Sequence, residues 1–284
     1  MVKSRVKSMR PKSLAEALEF RAARKARPFA GGTDLMVRYR GYSGTLPKLE
    51  GPILFLDAVE ELKEISVGEN SITIGAGATL TEMLACADLP ELIRRSVELI
   101  AAPGLRNRAT MGGNLCNASP AGDSIVPLYV HEAHVVLVSP EGERTLPVDE
   151  FLTGPGKTAL AENEILKSFL IPLLPSGITY YRKVGTRRAN ALSKLSTAGY
   201  ASMKGGEITD FRFSLGAVAP TVIRLTEAEE LVRGSSPDRI DIEAVLASAA
   251  PRIRPIDDQR STADYRRQTA LNALQEFLNI LQNQ

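Results

Sequence analysis

Hydrophobic residues along this chain switch between helical and strand spacing, and the switches mark its elements. "SLAEALEFRAA", residues 13–23, has the spacing of an amphipathic helix. Ser13 with Glu16 three places on predicts a capping box at its start. "RPFAGGTDL", 27–35, predicts a short buried strand running into a glycine turn, and "GPILFLDA", 51–58, a buried strand. The basic start, 1–12, predicts an edge strand leading into the helix. A helix between short strands gives a βαβ-like lobe over about residues 1–57.

A second lobe follows over 58–175. "SITIGAGATLTEML" predicts an alternating strand, a glycine turn and a helix capped by Thr79 and Glu82. "PELIRRSVELIAA" predicts a helix with Leu92, Ile93, Val97 and Ile100 on one face. "AHVVLVSPEGERTLPV" predicts a hairpin turning at Pro140–Glu143. "EILKSFLIPLL" predicts a strand ended by Pro172 and Pro175, and a boundary falls near Pro175–Gly177. Beyond it, in 176–284, strands at "TYYRKV", "LSTAGYASM" and "EITDFRFSLGAV" precede three helices. The first of these helices is opened by Thr226 with Glu229 and stopped by Gly234. "DIEAVLASAA" and "TADYRRQTALNALQEFLNILQ" are the other two. Strands followed by helices give an α+β class, and 284 residues suit two domains, 1–175 and 176–284.

Charge narrows the function. Lys and Arg total 35 against 33 Asp and Glu, and this balance argues against a nucleic-acid or membrane surface. No apolar run reaches the ~20 residues of a membrane span. The basic start lacks the apolar stretch of a secretory signal, so a cytoplasmic location is expected. Cys86 and Cys116 are too few to ligate an iron–sulfur cluster.

The chemistry-bearing segments are rich in glycine. "AGGTDL", 30–35, and "TMGGN", 110–114, read as two loops after strands. The second sits in "RATMGGNLCNASPAGDS", 108–124, where nearly every side chain is small. Glycine turns let backbone N–H groups converge on phosphate oxygens without lysine or arginine. Either segment alone also reads as an ordinary turn.

Together with Asp123, these segments resemble the FAD-binding medium subunit of molybdenum hydroxylases, the carbon monoxide dehydrogenase and xanthine dehydrogenase family. "FLTGPGKTAL", "YYRKVGTRRANAL", "GAVAPTVIRLTEAEELVRG" and "DYRR" extend the resemblance over nearly the whole chain. It implies a two-lobed vanillyl-alcohol-oxidase-type (PCMH-type) FAD-binding domain, followed by a C-terminal domain of a small antiparallel sheet with helices. It implies that Ala30, Gly31, Gly32, Thr33 and Asp34 wrap the FAD pyrophosphate from one side. Thr110, Gly112, Gly113 and Asn114 face it from the other. Asp123 either accepts a hydrogen bond from the cofactor or caps "SIVPLYV". Ile100 and Leu166 are either apolar cofactor contacts or plain core. Lys183 either stands beside the flavin or is solvated. Met111 stands where the family commonly has isoleucine or leucine, a change of little volume.

The family role is that of an electron outlet. A molybdenum-cofactor large subunit and a [2Fe–2S] small subunit are the implied partners, noncovalent FAD the implied cofactor, and NAD a candidate acceptor. Two other readings stand beside it. One is a self-sufficient flavin oxidase or reductase, for which Tyr180, Tyr181 and Tyr200 are the nearest acid–base candidates. The other is a scaffold that has lost flavin. "GPGKT", 154–158, lacks the upstream glycine of a phosphate loop, since Phe151 occupies that place. "GAG", 75–77, is too short for a dinucleotide fingerprint. His131 and His134 have no third ligand nearby in sequence for a metal.

Overall fold

The computed structural model describes residues 8–187 and 190–284; the predicted first-strand residues 1–7, and Arg188 and Ala189 of the "YYRKVGTRRANAL" segment, lie outside them. The first lobe runs β1 (Ser8–Met9), α1 (Leu14–Arg24), β2 (Arg27–Phe29), α2 (Leu35–Arg38) and β3 (Ile53–Phe55). Its strands form a parallel sheet in the order β1-β3-β2. Ser13 caps α1 by accepting from the Glu16 N–H at 3.3 Å. The Glu16 carboxylate accepts instead from the Lys12 N–H, one residue before the cap, so the expected capping box is half made. β2 is half-buried rather than buried, because it is an edge strand. Leu54, Leu56 and Leu62 pack with Val138 and Ile165, which joins this lobe to the next.

The second lobe contains β4 (Ile65–Val67), β5 (Ser71–Gly75), α3 (Leu80–Ala85), α4 (Glu91–Glu98), α5 (Pro103–Arg106), α6 (Met111–Asn117) and α7 (Ile125–Val130). It continues with β6 (His134–Ser139), β7 (Gly142–Pro147), α8 (Val148–Phe151), β8 (Leu152–Gly154), β9 (Lys157–Thr158) and β10 (Ile165–Pro172). An antiparallel sheet, β4-β5-β10-β6-β7, is its backbone. The Thr79–Glu82 capping box is complete. α4 buries Leu92, Ile93 and Val97 as expected but ends at Glu98. Ile100 therefore lies beyond the helix, beside Ala101 in the left-handed region at φ 52°.

The segment 110–114 is also not a loop after a strand. Thr110 is an N-cap whose hydroxyl accepts from the Gly113 N–H at 2.9 Å, and 111–117 is the helix α6. That cap offsets the poor helix propensity of two glycines.

The C-terminal part pairs β11 (Ile178–Gly185), β12 (Ser193–Lys204), β13 (Glu207–Gly216) and β14 (Ile223–Arg224) in one antiparallel sheet. α9 (Thr226–Val232), α10 (Ile242–Ala249) and α11 (Ala263–Gln282) complete it. The Phe277 ring of α11 stacks on Tyr180 and Phe211, each with centroids 5.4 Å apart. Gly199 of β12 allows this approach, since a Cβ there would stand 2.8 Å from the Phe277 ring.

Thr226 does not cap α9; Leu225 holds the cap position and no side chain caps it. Glu229 turns inward instead, fully buried, and accepts from the Phe213 N–H of the sheet at 2.8 Å. Satisfying a buried strand donor and neighbouring arginines outweighs a local cap. The architecture is the expected mixed one: a two-lobed region followed by a small antiparallel sheet with helices.

Candidate cofactor site

A cavity of about 590 Å³ opens where the two lobes meet the β11–β12 connection. Ala30, Gly31, Gly32, Thr33 and Asp34 line it together with Thr110, Gly112, Gly113 and Asn114. Ile100, Asp123, Leu166 and Lys183 line it too, so every residue expected at the site faces one space. The two glycine segments touch: a Cβ on Gly31 would fall 1.8 Å from the Arg108 carbonyl oxygen. Gly32, at φ +73°, turns the chain under the Phe29 ring. Gly112 lies on Ala76, with 2.5 Å from a built Cβ to the Ala76 carbonyl oxygen. At Gly113 the same atom would meet only the Thr110 hydroxyl, at 3.0 Å.

Main-chain donors here are bare. Among the described residues, the N–H groups of Gly31, Gly32, Thr33, Asp34 and Leu35 have no acceptor, nor do those of Met111 and Gly112. A run of free backbone donors along a cavity wall can converge on an acceptor-rich ligand.

Asp123 and Lys183 form an ion pair at 2.7 Å, each side chain only 9% exposed. Asp123 also accepts from the Ser193 hydroxyl, and Lys183 donates to the Leu99 carbonyl at 2.8 Å. The alternative readings of both residues are thereby corrected. Ser124, not Asp123, holds the cap position of α7, and Lys183 is not a solvated lysine. Their charges fall together because β11 returns over the second lobe, which no local sequence signal announces. Asn117 donates to Asp34 at 3.4 Å, linking the lobes. Arg106 donates to the Ile100 carbonyl at 2.9 Å and holds that residue at the wall. Leu166 is both core and wall.

Among the described residues the carboxylates lining the cavity already have partners, Asp34 in Asn117 and Asp123 in Lys183. Tyr180, Tyr181 and Tyr200 do not line it. The Tyr180 hydroxyl donates to Glu276 and that of Tyr200 to the Pro175 carbonyl. Burial, with the charge of Asp123, pushes the Tyr181 phenol well up. Burial also pushes the Cys116 thiol up to about 12, so this wall residue stays protonated. Among the described residues no cluster of three His, Cys, Asp or Glu could hold a metal. His131 is buried, its Nδ1–H donating to the Pro172 carbonyl at 2.8 Å. "GPGKT" is the β8–β9 hairpin, and its Gly156 and Thr158 line the cavity. Arg27, Arg38, Asn117 and Leu192 line it as well. Sequence reasoning passed over all four, although the two arginines flank the first glycine segment directly.

Comparison with known proteins agrees with this geometry. Residues 4–174 match the family described as FAD binding domain in molybdopterin dehydrogenase. Residues 180–281 match CO dehydrogenase flavoprotein C-terminal domain. The chain is 30% identical over 266 residues to the xanthine dehydrogenase FAD-binding subunit of Escherichia coli O157:H7, covering 90% of this chain and 89% of that one. It is 27% identical to the carbon monoxide dehydrogenase medium chain of Hydrogenophaga pseudoflava, covering 98% of each. A solved carbon monoxide dehydrogenase from Hydrogenophaga pseudoflava superposes with a TM-score of 0.88 at 27% identity, over 99% of this chain and 98% of that chain. No helix among the described residues is long and apolar enough to cross a membrane. The cavity suits FAD on its own features: its volume is ordinary for a cofactor site, and its glycine walls and free N–H groups match a diphosphate. The chain therefore belongs to the family of FAD-binding flavoprotein subunits of molybdopterin dehydrogenases, and its cofactor is FAD.

Proposed function

We propose that this chain is the electron outlet of a molybdenum hydroxylase complex. It takes electrons from the [2Fe–2S] clusters of a small partner subunit, which a molybdenum-cofactor large subunit supplies. It passes them to an external acceptor such as NAD. FAD, held noncovalently, supplies a centre that exchanges electrons singly or in pairs. The observation that carries the reading is the meeting of both glycine segments on one cavity, with free N–H groups along its wall.

The chain's own residues then have the following tasks. Gly31 to Leu35 and Met111 to Gly112 offer main-chain donors to the diphosphate. Thr110 holds the Gly113 N–H and so keeps α6 in register with that wall. Lys183, oriented by Asp123 and the Leu99 carbonyl, places an ammonium N–H donor beside the ring system. Ile100 and Leu166 are apolar walls that exclude water. The protonated Cys116 leaves no thiolate to attack a bound group.

The test is native purification of the chain with its complex. About one FAD per chain is expected, with rapid flavin reduction only when the iron–sulfur partner is present. Absence of tightly bound FAD overturns the reading. Reduction of the lone chain by a small organic substrate favours a self-sufficient flavoenzyme instead.

A further inference from the structure

The charged residues lining the cavity are Arg27, Asp34, Arg38, Asp123 and Lys183. Asp123 and Lys183 neutralise one another, and Asp34 adds a negative charge within the first glycine segment. A diphosphate bound there meets donors without net charge unless cations stand nearby. Arg27 and Arg38 are such cations. Among the described residues neither guanidinium has a hydrogen-bond or ion-pair partner, although most other arginines lining structural contacts do.

Both are placed by the fold. Arg27 opens β2, with its guanidinium 4.8 Å from the centre of the Tyr39 ring, which holds the flat group without using its N–H donors. Arg38 closes α2 and reaches the β8–β9 turn, with one terminal nitrogen 3.8 Å from where a Gly156 Cβ would be. That turn is fixed to α6, since the Gly156 N–H donates to the Ala118 carbonyl at 2.8 Å. The first lobe thus extends a cation across the cavity to the second lobe, beside the hairpin that resembles a phosphate loop but lacks its glycine spacing.

We infer that Arg27 and Arg38 are the counter-cations of the cofactor's diphosphate: backbone N–H groups orient the anion, and these two guanidiniums supply the charge that retains it. This rests on the FAD reading of the cavity. Guanidinium suits the task because it stays charged and offers paired donors to phosphate oxygens.

The experiment titrates the full chain, stripped of flavin, with FAD and with riboflavin, which carries no phosphate, at low and high potassium chloride. Arg27→Gln and Arg38→Gln should each weaken FAD binding by about tenfold, and the double variant more, with riboflavin binding unchanged. The salt dependence of FAD binding should flatten in the double variant and persist in Arg27→Lys with Arg38→Lys, where charge is kept. Thermal unfolding of the flavin-free variants should match the unaltered chain. If the unaltered chain binds FAD and the double glutamine variant keeps its affinity and salt slope, the arginine assignment is wrong while the FAD reading stands. Equal weakening of FAD and riboflavin also overturns it, because shape rather than charge was lost. Failure of the unaltered chain to bind FAD sinks the FAD reading, and the arginine assignment with it.

Discussion

The cavity and the junction behind α7 are both rich in polar groups, and they are built in opposite ways. At the junction nearly everything is partnered. Arg224 donates to the α7 carbonyl of Tyr129, and Arg212 to that of Val130. Both arginines also pair with Glu132. Buried Glu229 binds Arg224 at 2.6 Å and Arg233 at 3.4 Å. Ser214 donates to the Val126 carbonyl. In the cavity, backbone donors and two guanidiniums are left without partners. The difference teaches where a ligand belongs. A fold closes its structural polar groups on one another and leaves open only those that something else will satisfy.

The contrast can be broken most forcefully at the junction. Glu229→Ala removes the fully buried carboxylate shared by Arg224 and Arg233, leaving Arg224 to Glu132 and Arg233 to Glu230 and Asp210, and frees a buried strand N–H, so stability should fall by about 3 kcal/mol. Urea unfolding reads the loss, while the molecules that stay folded should keep their FAD content. A loss under about 1 kcal/mol would show that Glu229 does not anchor this network.

His131 is the junction's exception, because its Nε2 has no partner. Burial lowers its pKa to about 4 from 6.5; the Pro172 carbonyl opposes that shift and Arg212 adds to it. The unfolded chain therefore takes up this proton first as pH falls. The stabilisation is full above about pH 6.5 and is lost as pH falls toward 4, amounting to about 3 kcal/mol. Stability measured against pH should lose this slope in His131→Asn. An unchanged curve would mean that another group titrates.

In the cavity, two adjacent glycines sharpen the comparison. Gly113→Ala adds a methyl that meets only the Thr110 hydroxyl. Its stability should change by less than about 1 kcal/mol, while FAD affinity falls by about ten- to a hundredfold. Gly112→Ala forces a methyl against the Ala76 backbone, and should cost about 1–3 kcal/mol of stability along with FAD. Similar unfolding losses in the two variants would make both glycines packing positions rather than ligand positions. The smallest effect belongs to Thr110→Ala, which removes a helix cap and should cost about 1 kcal/mol in thermal unfolding.

Much of this was legible along the chain. Thr79 with Glu82 caps the helix it was expected to open, since a cap needs only its own next three residues. The β6–β7 hairpin turns at Pro140–Glu141 for an equally local reason. Glu229 misled because the same spacing serves a capping box or an inward-facing carboxylate, and the choice lies with Arg224 and the Phe213 N–H. Met111–Asn117 misled because two glycines read as loop until a neighbouring threonine caps them. Arg27 and Arg38 were passed over because arginines beside a glycine turn are ordinary until the cavity gathers them.

The sequence by itself determined most of the long elements, the order of a two-lobed region before a sheet-and-helix region, and the small residues through which a backbone can approach a diphosphate. Those depend on side-chain size, capping and periodicity, which act over a few residues. Only the tertiary structure decided that Gly31 rests on the Arg108 carbonyl, that Lys183 meets Asp123, and that the donors of both glycine segments stay free along one wall. Those contacts join residues about 60 to 80 positions apart, and packing of three separate cores brings them together.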